Sequence, residues 1–157
     1  MRKNKVFIIA VVVMLAAIFI WNQYSTDKGF PKYAPYLAVK YENKYLQTVS
    51  TFCNWFYKED GGNSRRGPEP ETAVKDIKAA KVLPNSELEL NFNTKVSPKY
   101  INITRWDKGS IAEDEKYVYN NENKLLVPKE KGNYVYEITG VWDETHTSSY
   151  TLKLQVI

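Results

Sequence analysis

Apolar and polar residues alternate with a two-residue period along most of this 157-residue chain. The clearest case lies at its C-terminal end. Tyr134, Tyr136, Ile138, Gly140 and Trp142 fall on one face of a strand, with Val135, Glu137, Thr139 and Val141 on the other. A second strand alternates in step, with Tyr150, Leu152, Leu154 and Val156 opposed to Thr151, Lys153 and Gln155. Two such apolar faces can be laid over one core, so the pattern predicts a long terminal hairpin with residues 143–149 as its loop. Upstream, Leu88, Leu90 and Phe92 alternate with Glu87, Glu89 and Asn91, after the turn-forming Pro84-Asn85. An opening hairpin is predicted from residues 36–41 and 45–56 around Glu42-Asn43-Lys44, and a short strand from 124–127 before Pro128. Residues 100–106 read as a strand with two candidate inward faces, Tyr100, Asn102, Thr104 and Trp106 against Ile101, Ile103 and Arg105.

Elsewhere the period breaks. Residues 22–35 carry Ser25, Thr26, Asp27, Lys28, Gly29, Pro31 and Pro35 without an apolar repeat, which reads as a short stalk. Residues 58–71 contain Gly61-Gly62-Asn63-Ser64-Arg65-Arg66-Gly67-Pro68, a composition that predicts a mobile surface loop and no strand. In residues 72–82, Ala73, Ile77 and Ala80 are near helical spacing while the β-branched residues allow strand. Seven or so strands in about 120 residues, closing on a hairpin, predict a mainly β fold: one immunoglobulin-like antiparallel β-sandwich over residues 36–157. Gly132-Asn133-Tyr134 opens the penultimate strand, where sandwich folds often place a tyrosine whose hydroxyl bonds back across the corner; an ordinary core-edge tyrosine is the alternative.

Ahead of this domain, residues 6–21 form the uncharged run VFIIAVVVMLAAIFIW, preceded by Arg2, Lys3 and Lys5. As a helix it spans roughly 24 Å, slightly less than a hydrocarbon core of about 30 Å. Eleven of its 16 residues are Val, Ile, Leu or Phe, which favours insertion by about 3–7 kcal/mol. The following Ile20-Trp21-Asn22-Gln23-Tyr24 offers no small-residue cleavage pattern, and no cysteine follows that would carry a lipid. The run therefore reads as an uncleaved N-terminal transmembrane helix, with residues 1–5 inside and everything from about residue 22 on the outer face of a cell membrane. It also absorbs most of the charge. The chain carries 22 Lys and Arg against 18 Asp and Glu, but from Asn22 onward the balance is 19 − 18 = +1, which removes the main support for a nucleic-acid partner.

Little chemistry is on offer. Cys53 is the only cysteine, so no internal disulfide forms, and its place in a strand-like run predicts burial. The only histidine, His146, falls in the expected terminal loop and reads as exposed. Cys53 with His146 would be the sole thiol–imidazole pair, and their spacing gives no reason for them to meet. Glu113-Asp114-Glu115 with Asp107 nearby could present oxygen ligands to calcium, although adjacent acids on a loop are more often a solvated turn. No catalytic residue, cofactor or metal site is expected. Twelve Tyr and four Trp are the remaining feature. Trp55 and Trp142 are assigned to the core, whereas Arg65, Arg66, Trp106, Tyr117 and Tyr119 form the candidate interaction surface.

Several stretches carry a resemblance: Phe52-Cys53-Asn54-Trp55, Gly67-Pro68-Glu69-Pro70-Glu71, Val82-Leu83-Pro84 through Phe92, Thr104-Arg105-Trp106, and Pro128-Lys129-Glu130-Lys131-Gly132-Asn133-Tyr134-Val135-Tyr136 leading to Trp142 and Ser149-Tyr150. In their order they resemble a Gram-positive (Bacillus-type) family of extracytoplasmic proteins, lipoprotein-like or membrane-anchored, whose members share an aromatic immunoglobulin-like β-sandwich. The resemblance covers most of the outer domain and is most specific at its C-terminal end. It implies the fold and location, and no activity carries over residue by residue. Some relatives hold a second cysteine in the loop; this chain has none, so no disulfide is implied.

The expectation is thus a membrane-anchored extracytoplasmic binding module of the bacterial envelope without catalysis, contacting an envelope protein or wall polymer. The alternative is an envelope regulator, such as a protease inhibitor or sensory domain, that presents the 58–71 loop.

Overall fold

A computed structural model describes residues 13–16, 29–57, 61–107, 110–118 and 123–157, with the backbone alone described at 107 and 110–118. Residues 13–16 form a helical turn, and the rest of the 6–21 run lies outside the described residues. Among those described, no helix is long and apolar enough to cross a membrane.

Pro31–Ile157 is one compact unit. Its strands in chain order are β1 (Leu37–Tyr41), β2 (Lys44–Leu46), β3 (Thr48–Trp55), β4 (Asn63–Arg66), β5 (Ala80–Val82), β6 (Glu87–Phe92), β7 (Tyr100–Asp107), β8 (Ser110–Val118), β9 (Lys124–Leu126), β10 (Gly132–Asp143) and β11 (His146–Val156), with one helical turn, α1 (Pro70–Ala73). They make two sheets. The smaller has the order β2-β1-β6-β9 and the larger β4-β3-β11-β10-β7-β8, every pair antiparallel, while β5 adds to β11 in parallel.

Hydrophobic alternation explains which faces meet. In β6, Leu88, Leu90 and Phe92 are buried and the three residues between them are exposed, as the pattern predicts. Each such side chain removed from water contributes roughly 2 kcal/mol. Tyr136, Ile138, Gly140 and Trp142 of β10 and Tyr150, Leu152, Leu154 and Val156 of β11 turn inward on the larger sheet. Phe92 crosses the gap between the sheets, edge-on to Trp142 at 5.1 Å and to Tyr150 at 6.3 Å. The open choice in β7 falls to Ile101 and Ile103, both 3% exposed. The opposite face of β11 is less polar in its surroundings than its sequence implies: Thr151 is fully buried and Lys153 Nζ donates to the carbonyls of Val74 and Lys75, each at 3.1 Å. The segment after α1 covers that face, with Val74 buried in it.

Tyr134 makes the corner contact considered from the sequence, its hydroxyl donating to the Glu130 carbonyl at 2.9 Å. Tyr134→Phe removes one neutral hydrogen bond at a partly exposed site, so it is expected to cost about 1 kcal/mol. A urea midpoint unmoved by that change would show that the corner contributes no stability.

Three local expectations are corrected, and the open reading of residues 72–82 resolves into both of its alternatives. Residues 45–56 are two strands, not one: β2 stays with β1 across a turn at Glu42 (φ 53°), and after Gln47 the chain enters the larger sheet as β3. The Gly-rich stretch does hold a strand. Gly61 (φ 71°) and Gly62 (φ 98°) adopt the left-handed backbone of a turn, and β4 pairs with β3 from Phe52↔Arg66 to Trp55↔Asn63. An edge strand needs no apolar face, which is why Asn-Ser-Arg-Arg suffices. Residues 72–82 begin at the end of α1 and finish as β5. Finally, the terminal hairpin turns on Glu144-Thr145 alone, so His146 begins a strand.

Candidate functional site

His146 is 7% exposed, not a solvated loop residue. Its ring lies edge-on to Trp55 at 4.8 Å, and Trp55 lies edge-on to Trp142 at 5.0 Å. Nε2 donates to the Phe56 carbonyl at 2.7 Å and Nδ1 faces Asp143 Oδ1 at 2.8 Å. Nδ1 also lies 3.1 Å from the Thr145 hydroxyl, so both ring nitrogens are engaged at this turn. A general base needs a free lone pair aimed at a nucleophile. In this geometry both nitrogens of His146 are taken up by Phe56, Asp143 and Thr145, and it clamps the end of β3 to the β10–β11 turn, where Phe56 N also donates to the Thr145 carbonyl at 3.1 Å.

Burial alone would raise the Asp143 carboxyl. The hydrogen bonds from His146 and from Thr145 N–H and Oγ1–H, together with the charge on His146, outweigh it and hold the group well below the usual carboxylate range. A depressed folded value means stability that is complete above the unfolded value, about 3.9, and is lost as pH falls below it. Asp143→Asn is therefore expected to cost about 1 kcal/mol at neutral pH, with the two proteins converging in stability below about pH 4. Parallel curves from pH 7 to pH 3 in urea titrations would show that Asp143 is not responsible.

Cys53 is half-buried rather than enclosed. Burial pushes its thiol up, against a smaller opposing effect of Arg65, so the reactive thiolate is disfavoured. Its Sγ lies 3.9 Å from the Asn63 carbonyl, and it makes no hydrogen bond with His146. Beside it the Tyr150 hydroxyl donates to the Pro35 carbonyl at 2.9 Å, and burial raises that phenol to about 12.

The residues of the candidate interaction surface are not brought together. Arg65 and Arg66 lie on β4, where all four residues are exposed. Trp106 lies on β7, four strands across the same sheet, or about 19 Å at 4.8 Å per strand. Trp106 is half-buried, and its indole N–H is buried without a hydrogen-bond partner among the described residues. Tyr117 is on β8, and Tyr119 lies outside the described residues.

What the structure does assemble is a larger sheet that, among the described residues, ends in two unlike edge strands. One is β4, Asn63-Ser64-Arg65-Arg66. The other is β8, whose backbone is extended over Ser110–Val118 and places Glu113, Asp114 and Glu115 in mid-strand instead of in a loop turn. Sequence reasoning missed both. Gly61-Gly62 between two polar-and-aromatic runs was a hairpin signal, whereas nothing in the acidic run of β8 announces a strand, since its neighbours lack a two-residue apolar period.

A cleft of about 290 Å³ opens between β7, β9 and β10, floored by Ile103, Leu125, Val127 and Tyr136 with Arg105 and Glu130 among its lining. Lys129 also lines it, and no Ser, Thr, Cys or His is among its lining. Among the described residues no group of three or more His, Cys, Asp or Glu side chains is placed to hold a metal ion. Neither a family model nor a curated protein matches the chain.

Proposed function

We propose that the chain is a membrane-anchored, extracytoplasmic module of the bacterial envelope that binds other envelope components through an immunoglobulin-like β-sandwich. The observation that carries the reading is strand order. β1-β6-β9 follows the A-B-E order of that fold and β11-β10-β7-β8 the G-F-C-C′ order, with the hydroxyl of Tyr134 at the corner of the penultimate strand. β3 and β4, inserted between β1 and β6 in the chain, widen the larger sheet beyond β11 and end it in an arginine edge. The anchor is supported by the 6–21 run with its basic flank, and by Val13, Met14 and Leu15, whose apolar side chains are exposed in their helical turn. A regulator that presents 58–71 as a free loop is less well supported, because Asn63–Arg66 is hydrogen-bonded into the sheet as β4.

Site-directed photo-crosslinking in the living envelope tests this. A photoreactive residue at position 66 on β4 or position 116 on β8 is expected to give specific adducts, and one at Asn91, on the outward face of the smaller sheet, is not. Equal yields at all three positions, or none, would overturn the reading.

A further inference from the structure

We propose that the partner at these edges is a second copy of the chain: the arginine edge β4 of one molecule adds to the acidic edge β8 of the next, continuing the larger sheet from molecule to molecule. This rests on the interaction-module reading and names its partner. Three features converge on it. The first is exposure of backbone. β4 and β8 terminate the larger sheet among the described residues, and β8 is a nine-residue strand with one side unpaired. Natural sheets blunt, cover or pair an edge of that length.

The second is direction. Five successive antiparallel pairings separate β4 from β8, so the two run in opposite senses. A second molecule in the same orientation therefore sets its β8 antiparallel to the first molecule's β4, and the all-antiparallel ladder continues without a reversal. The third is charge. Arg65 and Arg66 are adjacent on a strand, so they lie on opposite faces, and the same alternation distributes positions 113, 114 and 115 over both faces of β8. In the registers that set positions 113–115 opposite Arg65-Arg66, a cationic position meets an acidic one. Pairing like with like would instead gather four arginines, or two acidic runs, along one seam, so the charges disfavour a two-fold dimer at either edge. A head-to-tail contact between unlike patches makes rings or open chains.

Sedimentation velocity of the full-length protein in a mild nonionic detergent decides the matter. The expected result is a concentration-dependent series that passes beyond the dimer in 50 mM salt and shifts toward monomer in 500 mM, as screening shortens the reach of the charges. R65E/R66E alone and E113K/D114K/E115K alone are each expected to weaken association by about tenfold or more. Mixing the two variants restores it, because each supplies the edge that complements the other. Circular dichroism melting of each variant separates loss of association from loss of fold. Monomers at every concentration would overturn the proposal, with the charges acting to keep edges apart. So would a series that stops at the dimer, association unchanged in R65E/R66E, or variants that fold but are not restored by mixing. Specific crosslinks to other envelope components without self-association would remove the second copy as partner and leave the module reading standing.

Discussion

Trp142→Ala is expected to cost about 3–5 kcal/mol, the range for removing a large aromatic from a packed core. Trp142 is 6% exposed and links three parts of the domain. Its ring packs edge-on to Phe92 of the smaller sheet at 5.1 Å and to Trp55 of β3 at 5.0 Å, and its Nε1 donates to the Val96 carbonyl at 2.6 Å. Alanine leaves a void between the sheets, removes the ring that packs against Trp55, and strands a carbonyl in the β6–β7 connection. Trp142→Phe keeps a ring but not the indole N–H, so it should fall well short of that cost. A shift in the urea midpoint equivalent to less than about 1 kcal/mol for Trp142→Ala would mean that the sheets are not held together here.

The parts of this fold that the sequence made legible are those in which one strand face is apolar and the other polar. β6 shows that alternation without interruption, and β10 shows it on its inward face while Val135 and Val141 lie on the other; the sequence locates both strands. Trp55 and Trp142 were also assigned to the core, in agreement with exposures of 2% and 6%. The errors arose where burial is decided by a neighbour instead of by the strand's own pattern. His146 is polar and follows a turn, so locally it reads as exposed; it is buried because Trp55, 91 residues earlier in the chain, lies against it and Phe56 offers it a carbonyl. β4 has no apolar face, since an edge strand is held by its backbone hydrogen bonds to β3. Gln47 carries no breaker signal, yet the chain changes sheet there, with the Thr48 hydroxyl donating to the Leu37 carbonyl at 3.1 Å. The candidate surface residues are spread over the sheet for a related reason. Arg65-Arg66 and Trp106 were grouped by chemistry, and sheet order, which depends on long-range pairing, sets them about 19 Å apart. The same order gives the arginines their significance, because it makes them one edge of a sheet whose other edge is acidic.

Gly140→Ala carries the second large effect, and its cause is shape rather than chain flexibility. Gly140 sits on the inward face of β10, where an added Cβ would lie 2.7 Å from Phe92 Cζ and 2.9 Å from two ring atoms of Trp142. Both rings are rigid and packed, so neither yields cheaply, and overpacking of this kind costs about 1–3 kcal/mol. The obstacle can be identified by a double-mutant cycle. If Trp142 is what the new methyl strikes, Gly140→Ala in the Trp142→Ala background enters the space the indole vacated, and the pair costs about 1–2 kcal/mol less than the sum of the single changes. If the obstacle is Phe92, which still stands at 2.7 Å after Trp142 has gone, the two costs add. Urea denaturation of the four proteins reads the difference directly. A Gly140→Ala protein as stable as the parent would show that the sheets can part to admit a methyl group, and that Phe92 and Trp142 do not fix the distance between them.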